Sequence, residues 1–450
     1  MLVLAIFVVF SAIAPAQEPA PFELSGFSAS EIFSIKDEQP LVANDPDLSR
    51  LLRRASKCSD RALRRFEKMT GAVSFAELAD TPDDFRCHAV RISGTAIHTQ
   101  PIKLGAVDAY AVQLVDDSGA SCLLIVDRIP QAWLPHSSIS EPVSATGFFL
   151  ANFDMVAAAN VPPQITIPDF HESIPIVVAG RLSWFPTGDQ SDVKIKNSWR
   201  VLAQSGVDVA GFDRLEPTGK LSSADSDLFY QMLNACQSIE PDTLESRNSV
   251  FDFLQQPVEN VGEFVEVSGY LRRATRIEIA DEREIELMGQ DYYYQLDVFV
   301  PLDQKVVIRG GDKKRPANSD QIDTSKDLVI ENRYPVIVCV PELPGPAKSL
   351  EREQVMVSGF FLKLWNYDSV LSARQASTPQ LISPMLIGLK PVVFKVPANS
   401  LDYLFVPLIT AGALIAALLL YLISVARSQR RASNRRTDRQ PEQIEIPPID

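Results

Sequence analysis

Ser358-Gly359-Phe360-Phe361-Leu362 has an upstream echo in Thr146-Gly147-Phe148-Phe149-Leu150, and the pair opens a repeat that takes in most of the chain. Pro82, Val90, Ile92, Ser93 and Gly94 match Pro257, Val265, Val267, Ser268 and Gly269 at a constant offset of 175. Leu41, Asp45, Asp47, Leu48 and Ala55 match Leu221, Asp225, Asp227, Leu228 and Ala235 at an offset of 180. Pro163, Gln164 and Pro168 return as Pro379, Gln380 and Pro384, so both copies close alike. One module is used twice, which is too few copies for a solenoid.

Each copy opens on a helix. Asp45-Pro46-Asp47 supplies a cap and a first-turn proline, and Leu48, Leu51, Leu52 and Ala55 follow at helical spacing. In the second copy Asp225 or Ser226 takes the capping position. Strand patterns come next at Ala89–Ile97, Tyr110–Val115, Ala120–Val126, Val143–Leu150 and Ile174–Leu182, with a tight turn at Asp116-Asp117-Ser118-Gly119. The connection from the third strand to the fourth is not a hairpin. The predicted class is α+β, mainly β.

Five strands in this order resemble an OB fold, over roughly Pro82–Phe185 and again over Pro257–Phe394. The resemblance implies a five-stranded barrel and the oligonucleotide or oligosaccharide binding for which that family is known. Fold alone does not fix function. The expected map is a signal peptide at 1–16, an irregular lead-in at 17–40, a helix-plus-barrel module at 41–185, a linker at 186–220 with a short helix around Trp199–Gln204, and a second module at 221–398. A transmembrane helix at 404–426 and an arginine-rich tail at 427–450 complete it.

Met1–Ala14 is almost wholly apolar and precedes the small-residue pattern Ala14-Pro15-Ala16, as in cleavable export signals. Leu404–Val425 carries no charge, and its 22 residues at about 1.5 Å each reach roughly 33 Å, the thickness of a bilayer core. Arg427, Arg430, Arg431, Arg435, Arg436 and Arg439 follow and place the tail in the cytoplasm by the positive-inside rule. The topology expected is single-pass with the N-terminal region outside. Gly412 and Ala416 form a small-xxx-small pair that would admit a homodimer through the span.

Of 450 residues 46% are apolar and 22% charged, which is globular composition, and 32 prolines against 20 glycines suit a β-rich chain with stiff connections. The net charge is −14, and with +2 in the tail the rest holds −16. Such a surface disfavours broad binding to nucleic-acid backbones. The five cysteines, Cys58, Cys87, Cys122, Cys236 and Cys339, lack metal or redox spacing and read as structural thiols. His88, His98, His136 and His171 are scattered, and no HExxH, GxSxG, Walker or GxGxxG motif is present. No cofactor is expected.

The copies differ most between their second and third strands. There the offset grows from 182 to 214, an apparent insertion of 32 residues near 297–328. It contains the basic run Arg309-Gly310-Gly311-Asp312-Lys313-Lys314-Arg315-Pro316, the kind of exposed loop that duplicates keep for a partner. The second copy also gathers Arg272, Arg273 and Arg276 before Tyr292-Tyr293-Tyr294, a basic and aromatic set suited to stacking on a sugar or a base. Alternation puts Tyr292 and Tyr294 on one face and Tyr293 on the other. The candidate ligand or partner surface is therefore Arg272, Arg273, Arg276, Tyr292, Tyr294, Arg309, Lys313, Lys314 and Arg315.

The whole resembles uncharacterised bacterial envelope proteins that combine an export signal, OB-like repeats and a C-terminal span. The resemblance implies a non-enzymatic binding or scaffolding protein whose partners are other envelope proteins. An oligosaccharide-binding or, less favoured, nucleic-acid-binding module is the alternative, and an envelope hydrolase the second.

Overall fold

Leu48, Leu51, Leu52 and Ala55 close one face of helix α1 (Pro46–Ala55), and all four are buried. Each leucine taken from water contributes about 1.5–3 kcal/mol. Helix α2 (Phe75–Asp80) follows, with Ser74 and Glu77 forming a reciprocal capping box. The computed structural model describes residues 23–40, 46–59, 62–63, 65, 68, 71–154, 173–188, 193–241, 244–246, 249–308, 328–367, 381–394 and 414–427.

The first copy then lays down β1 (Ala89–Leu104), β2 (Val107–Val115), β3 (Ser121–Val126), β4 (Ser138–Asp154) and β5 (Ser173–Ala179). β1 is antiparallel to β2 and β4, β2 to β3, and β5 runs parallel to β3 and antiparallel to β4. The circuit β1-β2-β3-β5-β4 returns to β1, so the sheet closes on itself. The second copy has α3 (Asn197–Gln204) ahead of it, then α4 (Ser226–Ala235), α5 (Val250–Gln255), β6 (Phe264–Glu278), α6 (Glu282–Met288), β7 (Tyr292–Pro301), β8 (Arg333–Val340), β9 (Gln354–Tyr367) and β10 (Leu381–Gly388). Its pairings repeat the first circuit strand for strand, including the parallel pair β8–β10. The protein is thus a strand-dominated α+β chain with two sheets of OB-like order.

Closure explains why the glycines recur. A Cβ on Gly147 would lie 2.5 Å from the Val178 carbonyl oxygen, and one on Gly359 would lie 2.5 Å from that of Ile387. Both sites are where the fourth strand passes the fifth. Phe148, Phe149, Phe360 and Phe361 beside them are fully buried, and Phe361 stacks on Phe253 of α5 with centroids 4.5 Å apart. The echo therefore marks the seam of each barrel.

The lead-in, expected to be irregular, and the linker, whose expected short helix is α3 (Asn197–Gln204), share the same pairing to their barrels. Gln39–Pro40 pairs in parallel with Phe153 and Asp154 of β4, and Thr218–Gly219 pairs in parallel with Leu364 and Trp365 of β9. The short helix Ala29–Ser34 has its counterpart in the 3-10 turn Val209–Arg214, at the same offset of 180 that relates α1 to α4. The arginines of α1 hold the lead-in: Arg50 bonds Glu31 at 2.6 Å and stands 4.5 Å from the Phe27 centroid, while Arg54 donates to the Leu24 carbonyl at 2.8 Å.

Each module also buries one cation against its incoming segment. Arg86 is 4% exposed and binds Asp37 at 2.5 Å. Lys363 is fully buried and binds Asp225 at 2.9 Å. Of the two expected caps of α4, Asp225 takes the N-cap position, but its side chain makes no cap hydrogen bond and accepts from Lys363 and from the Ser222 amide.

The ladders correct the reading of the insertion. Leu114 opposes Cys122, and Val298 opposes Val336, so the second strands are related by 184 rather than 182 and the third by 214. The extra residues are 9 before β7, which include the seven of α6, and 30 after it. Of the latter, Val306–Ile308 and Leu328–Ile330 pair as a separate two-stranded ribbon.

Residues Met1–Val392 form one compact unit and Val393–Asp450 a second. In the second unit residues 414–427 are helical, with Leu414, Ile415 and Leu418 through Ile423 about half or more exposed. Among the described residues no helix is long and apolar enough to cross a membrane. The leader at 1–16, residues 404–413 of the expected span and the tail beyond Arg427 lie outside the described residues.

Candidate functional site

The basic and aromatic set of the second copy sits on the β6–β7 ladder, where the structure divides it. Tyr294 opposes Arg276 and Tyr292 opposes Glu278, which brings Arg276, Tyr292 and Tyr294 onto one face. The Arg276 guanidinium stands 4.3 Å from the Tyr292 centroid and 2.9 Å from Glu278, and the Tyr292 and Tyr294 rings meet edge to face at 5.6 Å. Tyr293 points to the other face, packing on Phe229 of α4 at 5.3 Å, and burial pushes its phenol pKa well up.

The remaining arginines stand apart from that face, Arg273 by strand alternation and Arg272 at a bulge. Arg272 has no partner in the ladder, and the strand resumes with Arg273 opposite Asp297, to which Arg273 is ion-paired at 2.8 Å. Arg272 lies 5.7 Å from the Phe299 centroid. The set is therefore a three-residue platform and a separate paired patch, because alternation along β6 sends Arg273 to the face opposite Arg276 and the bulge takes Arg272 out of the ladder. The first copy bulges at the equivalent position, between Ala96 and His98. Arg309, Lys313, Lys314 and Arg315 lie outside the described residues, as does Gly412, while Ala416 falls in the described helix.

A larger feature went unread in the sequence. A cleft of about 1030 Å³ runs between the two barrels, with walls from β1 and β4, from the segment after β3, from the linker and from α4 and α6. Its cations are Lys68, Arg91, Arg128, Arg181 and Arg214; its carboxylates are Asp127, Asp208, Asp213 and Glu286. Tyr110 and Phe185 bring aromatic rings to it, and Gln131, Gln231 and Asn234 bring amides.

The linker builds the floor. Asp208 accepts from the Trp184 amide at 2.9 Å and from the Ala210 amide at 3.1 Å, and pairs with Arg214 at 3.3 Å. Its own amide donates to Gln231 of α4 at 2.9 Å, so one residue joins the first barrel, the linker and the second module. Asp213 accepts from the Gln131 amide at 2.8 Å, and burial raises its carboxyl pKa. Burial, with neighbouring Arg214 adding, brings Arg181 down to about 10. Lys68 and Glu286 bridge the modules at 3.1 Å. Asp127 keeps Oδ1 buried with no donor among the described residues. No cluster of three His, Cys, Asp or Glu able to hold a metal ion occurs among the described residues.

No family model matches the chain, and no curated protein matches it. Solved structures that it resembles include a deletion mutant of the single-stranded DNA binding protein from Thermus aquaticus, at 9% identity over 68% of this chain and 95% of that one, TM-score 0.15. The wild-type Thermus aquaticus protein gives 9%, 68%, 93% and 0.14. A murine DNA binding protein bound with double-stranded DNA gives 8%, 69%, 98% and 0.13. At that level of superposition the likeness carries no argument.

Proposed function

We propose that this protein is a non-enzymatic binding protein of a bacterial cell envelope, anchored by its C-terminal apolar segment with both barrels outside the cytoplasm. The observation that carries the binding role is the cleft shared by the two modules, whose floor is the folded linker. A linker that only tethered two domains would have no need of Asp208 bonding both sides. Anchoring is supported by the uncharged run Leu404–Val425 with its arginine-rich sequel, and by the exposed apolar side chains of helix 414–427.

Partners are other envelope proteins in this reading. The basic loop from Arg309 to Pro316 is a second docking surface, and Gly412 with Ala416 the face for a homodimer. In-cell crosslinking of the full-length protein, followed by mass spectrometry, tests the role: a reproducible envelope partner is expected. Turnover of an envelope substrate by the purified protein would overturn it. A protease added from outside should remove both barrels and spare an epitope on the tail.

One observation favours a second reading. The Arg276–Tyr292–Tyr294 platform on β6 and β7 offers a cation and two half-buried rings to a sugar face or a base. Replacing all three with alanine should then abolish ligand binding while the barrel stays folded.

A further inference from the structure

Where the end of the first barrel, the linker and α4 meet, a chamber of about 40 Å³ adjoins the cleft and shares Arg181, Ser183, Asp208, Arg214 and Gln231 with its wall. That volume is a few times the roughly 10–15 Å³ one water needs, and far below the roughly 300 Å³ at which pockets for organic ligands begin. The carboxylates around it are already engaged. Asp208 accepts from the Trp184 and Ala210 amides and pairs with Arg214, Asp225 accepts from Lys363 and the Ser222 amide, and Asp227 is ion-paired with Arg283. Donors are plentiful by comparison. Arg181 and Arg214 bring two guanidiniums of five N–H groups each, Ser183 adds a hydroxyl, and Gln231 gives its oxygen to the Asp208 amide and so keeps its NH2 as a donor.

Charge points the same way. Around Arg181 stand Arg214 and Arg283 with Asp208 and Asp227, three guanidiniums against two carboxylates, and the Lys363–Asp225 pair adds nothing to the sum. One positive charge is left over. Burial, with Arg214 adding, holds Arg181 down at about 10, and an anion beside it would raise it again.

We infer that the chamber binds one small monovalent inorganic anion, of chloride size, through Arg181 and Arg214, with Ser183 and Gln231 completing its shell. Such an ion neutralises the surplus charge and ties the end of the first barrel to the linker and to α4, which fixes the floor of the cleft. The site stands apart from the binding-protein reading, and only its bearing on partner capture rests on that reading.

The test uses full-length protein in detergent micelles, exchanged into the bulky anion gluconate. Chloride, bromide or sulfate then replaces gluconate at constant ionic strength while melting is followed by calorimetry, and chlorine NMR linewidths read chloride binding directly. Chloride and bromide should raise the melting midpoint saturably, by about 2 °C or more. Sulfate, larger and doubly charged, should not. Arg181→Gln should abolish both the shift and the linewidth effect. Ser183→Ala is the milder variant should Arg181→Gln fail to fold, and it should weaken chloride about threefold or more through the loss of one hydrogen bond. Lys103→Ala, on an exposed lysine outside the cleft, should respond as the unaltered protein does.

Equal midpoints in chloride and gluconate, a response that survives Arg181→Gln, an affinity unmoved by Ser183→Ala, or sulfate acting as strongly as chloride would each overturn the inference. Chloride binding with no crosslinked envelope partner would sustain the site and remove the binding-protein reading, and partner capture with no chloride response would do the reverse.

Discussion

Gly359→Ala tests the closure of the second barrel by adding one methyl group. The new Cβ would sit 2.5 Å from the Ile387 carbonyl oxygen, 2.7 Å from the Gly388 Cα and 3.0 Å from the Ile387 carbonyl carbon. Real Cβ contacts essentially never fall under 3.0 Å, so β9 and β10 must part by about half an ångström or more. The obstacle is backbone already held in an antiparallel ladder, Gly359 opposite Gly388, and cannot rotate aside as a side chain would. Overpacking of this kind costs about 1–3 kcal/mol, and a backbone clash belongs at the upper end. Gly147→Ala, with its Cβ 2.5 Å from the Val178 oxygen, should cost the same in the first barrel. Gly345→Ala is the control: its nearest neighbour is the Ser349 Oγ at 3.9 Å and its φ is ordinary, so the change should be neutral or slightly stabilising. Urea titration followed by circular dichroism on the full chain measures all three. A loss under about 0.5 kcal/mol for Gly359→Ala, or equal effects at Gly345 and Gly359, would refute the seam.

Other outcomes follow from the same packing. Lys363→Met leaves Asp225 buried without its cation and should cost about 3–5 kcal/mol, whereas Lys363→Met with Asp225→Leu should recover most of it; denaturant midpoints decide. Burial pushes Cys87 and Cys339 up to about 12, so the folded state keeps protons that the unfolded chain gives up near 9. Stability is then full below about pH 9 and lost as pH rises toward 12, and Cys339→Ala should flatten that fall. Asp208→Ala removes the bonds to Trp184, Ala210 and Arg214 and should split one melting transition into two, read by calorimetry. Arg276→Ala, by contrast, should change stability by under about 1 kcal/mol, since Arg276 itself is about half exposed and its ion-pair partner Glu278 is exposed.

The repeated barrel was legible because closure forces it into sequence. Only glycine fits where the fourth strand passes the fifth, so Gly147 and Gly359 persist, and the phenylalanines beside them fill the core. The strand order could be read from turn chemistry and from the missing hairpin after the third strand. The candidate platform was legible only in part. Alternation alone sets Arg273 on the face opposite Arg276, and a bulge residue needs no special identity, so nothing in Arg272 reveals that it drops out of the ladder. The insertion was misallocated for a related reason: 182 and 184 are both even, and the alternation of faces looks the same in either register. The lead-in read as irregular, and the linker's two-residue strand went unread, because two-residue strands and single helical turns carry almost no periodic signal. The cleft was invisible because its lining comes from segments as distant as Ala55 and Leu287.

In the proposed function the two barrels and the folded linker act as one binding body. A photoreactive amino acid placed at Ser205, on the cleft wall, and separately at Lys103, away from it, tests this directly in cells carrying the full-length protein. A reproducible adduct is expected from position 205 and none from position 103, with the position-205 adduct lost in Asp208→Ala. Adducts of equal yield from both positions, or an adduct from 205 that is indifferent to Asp208, would contradict it.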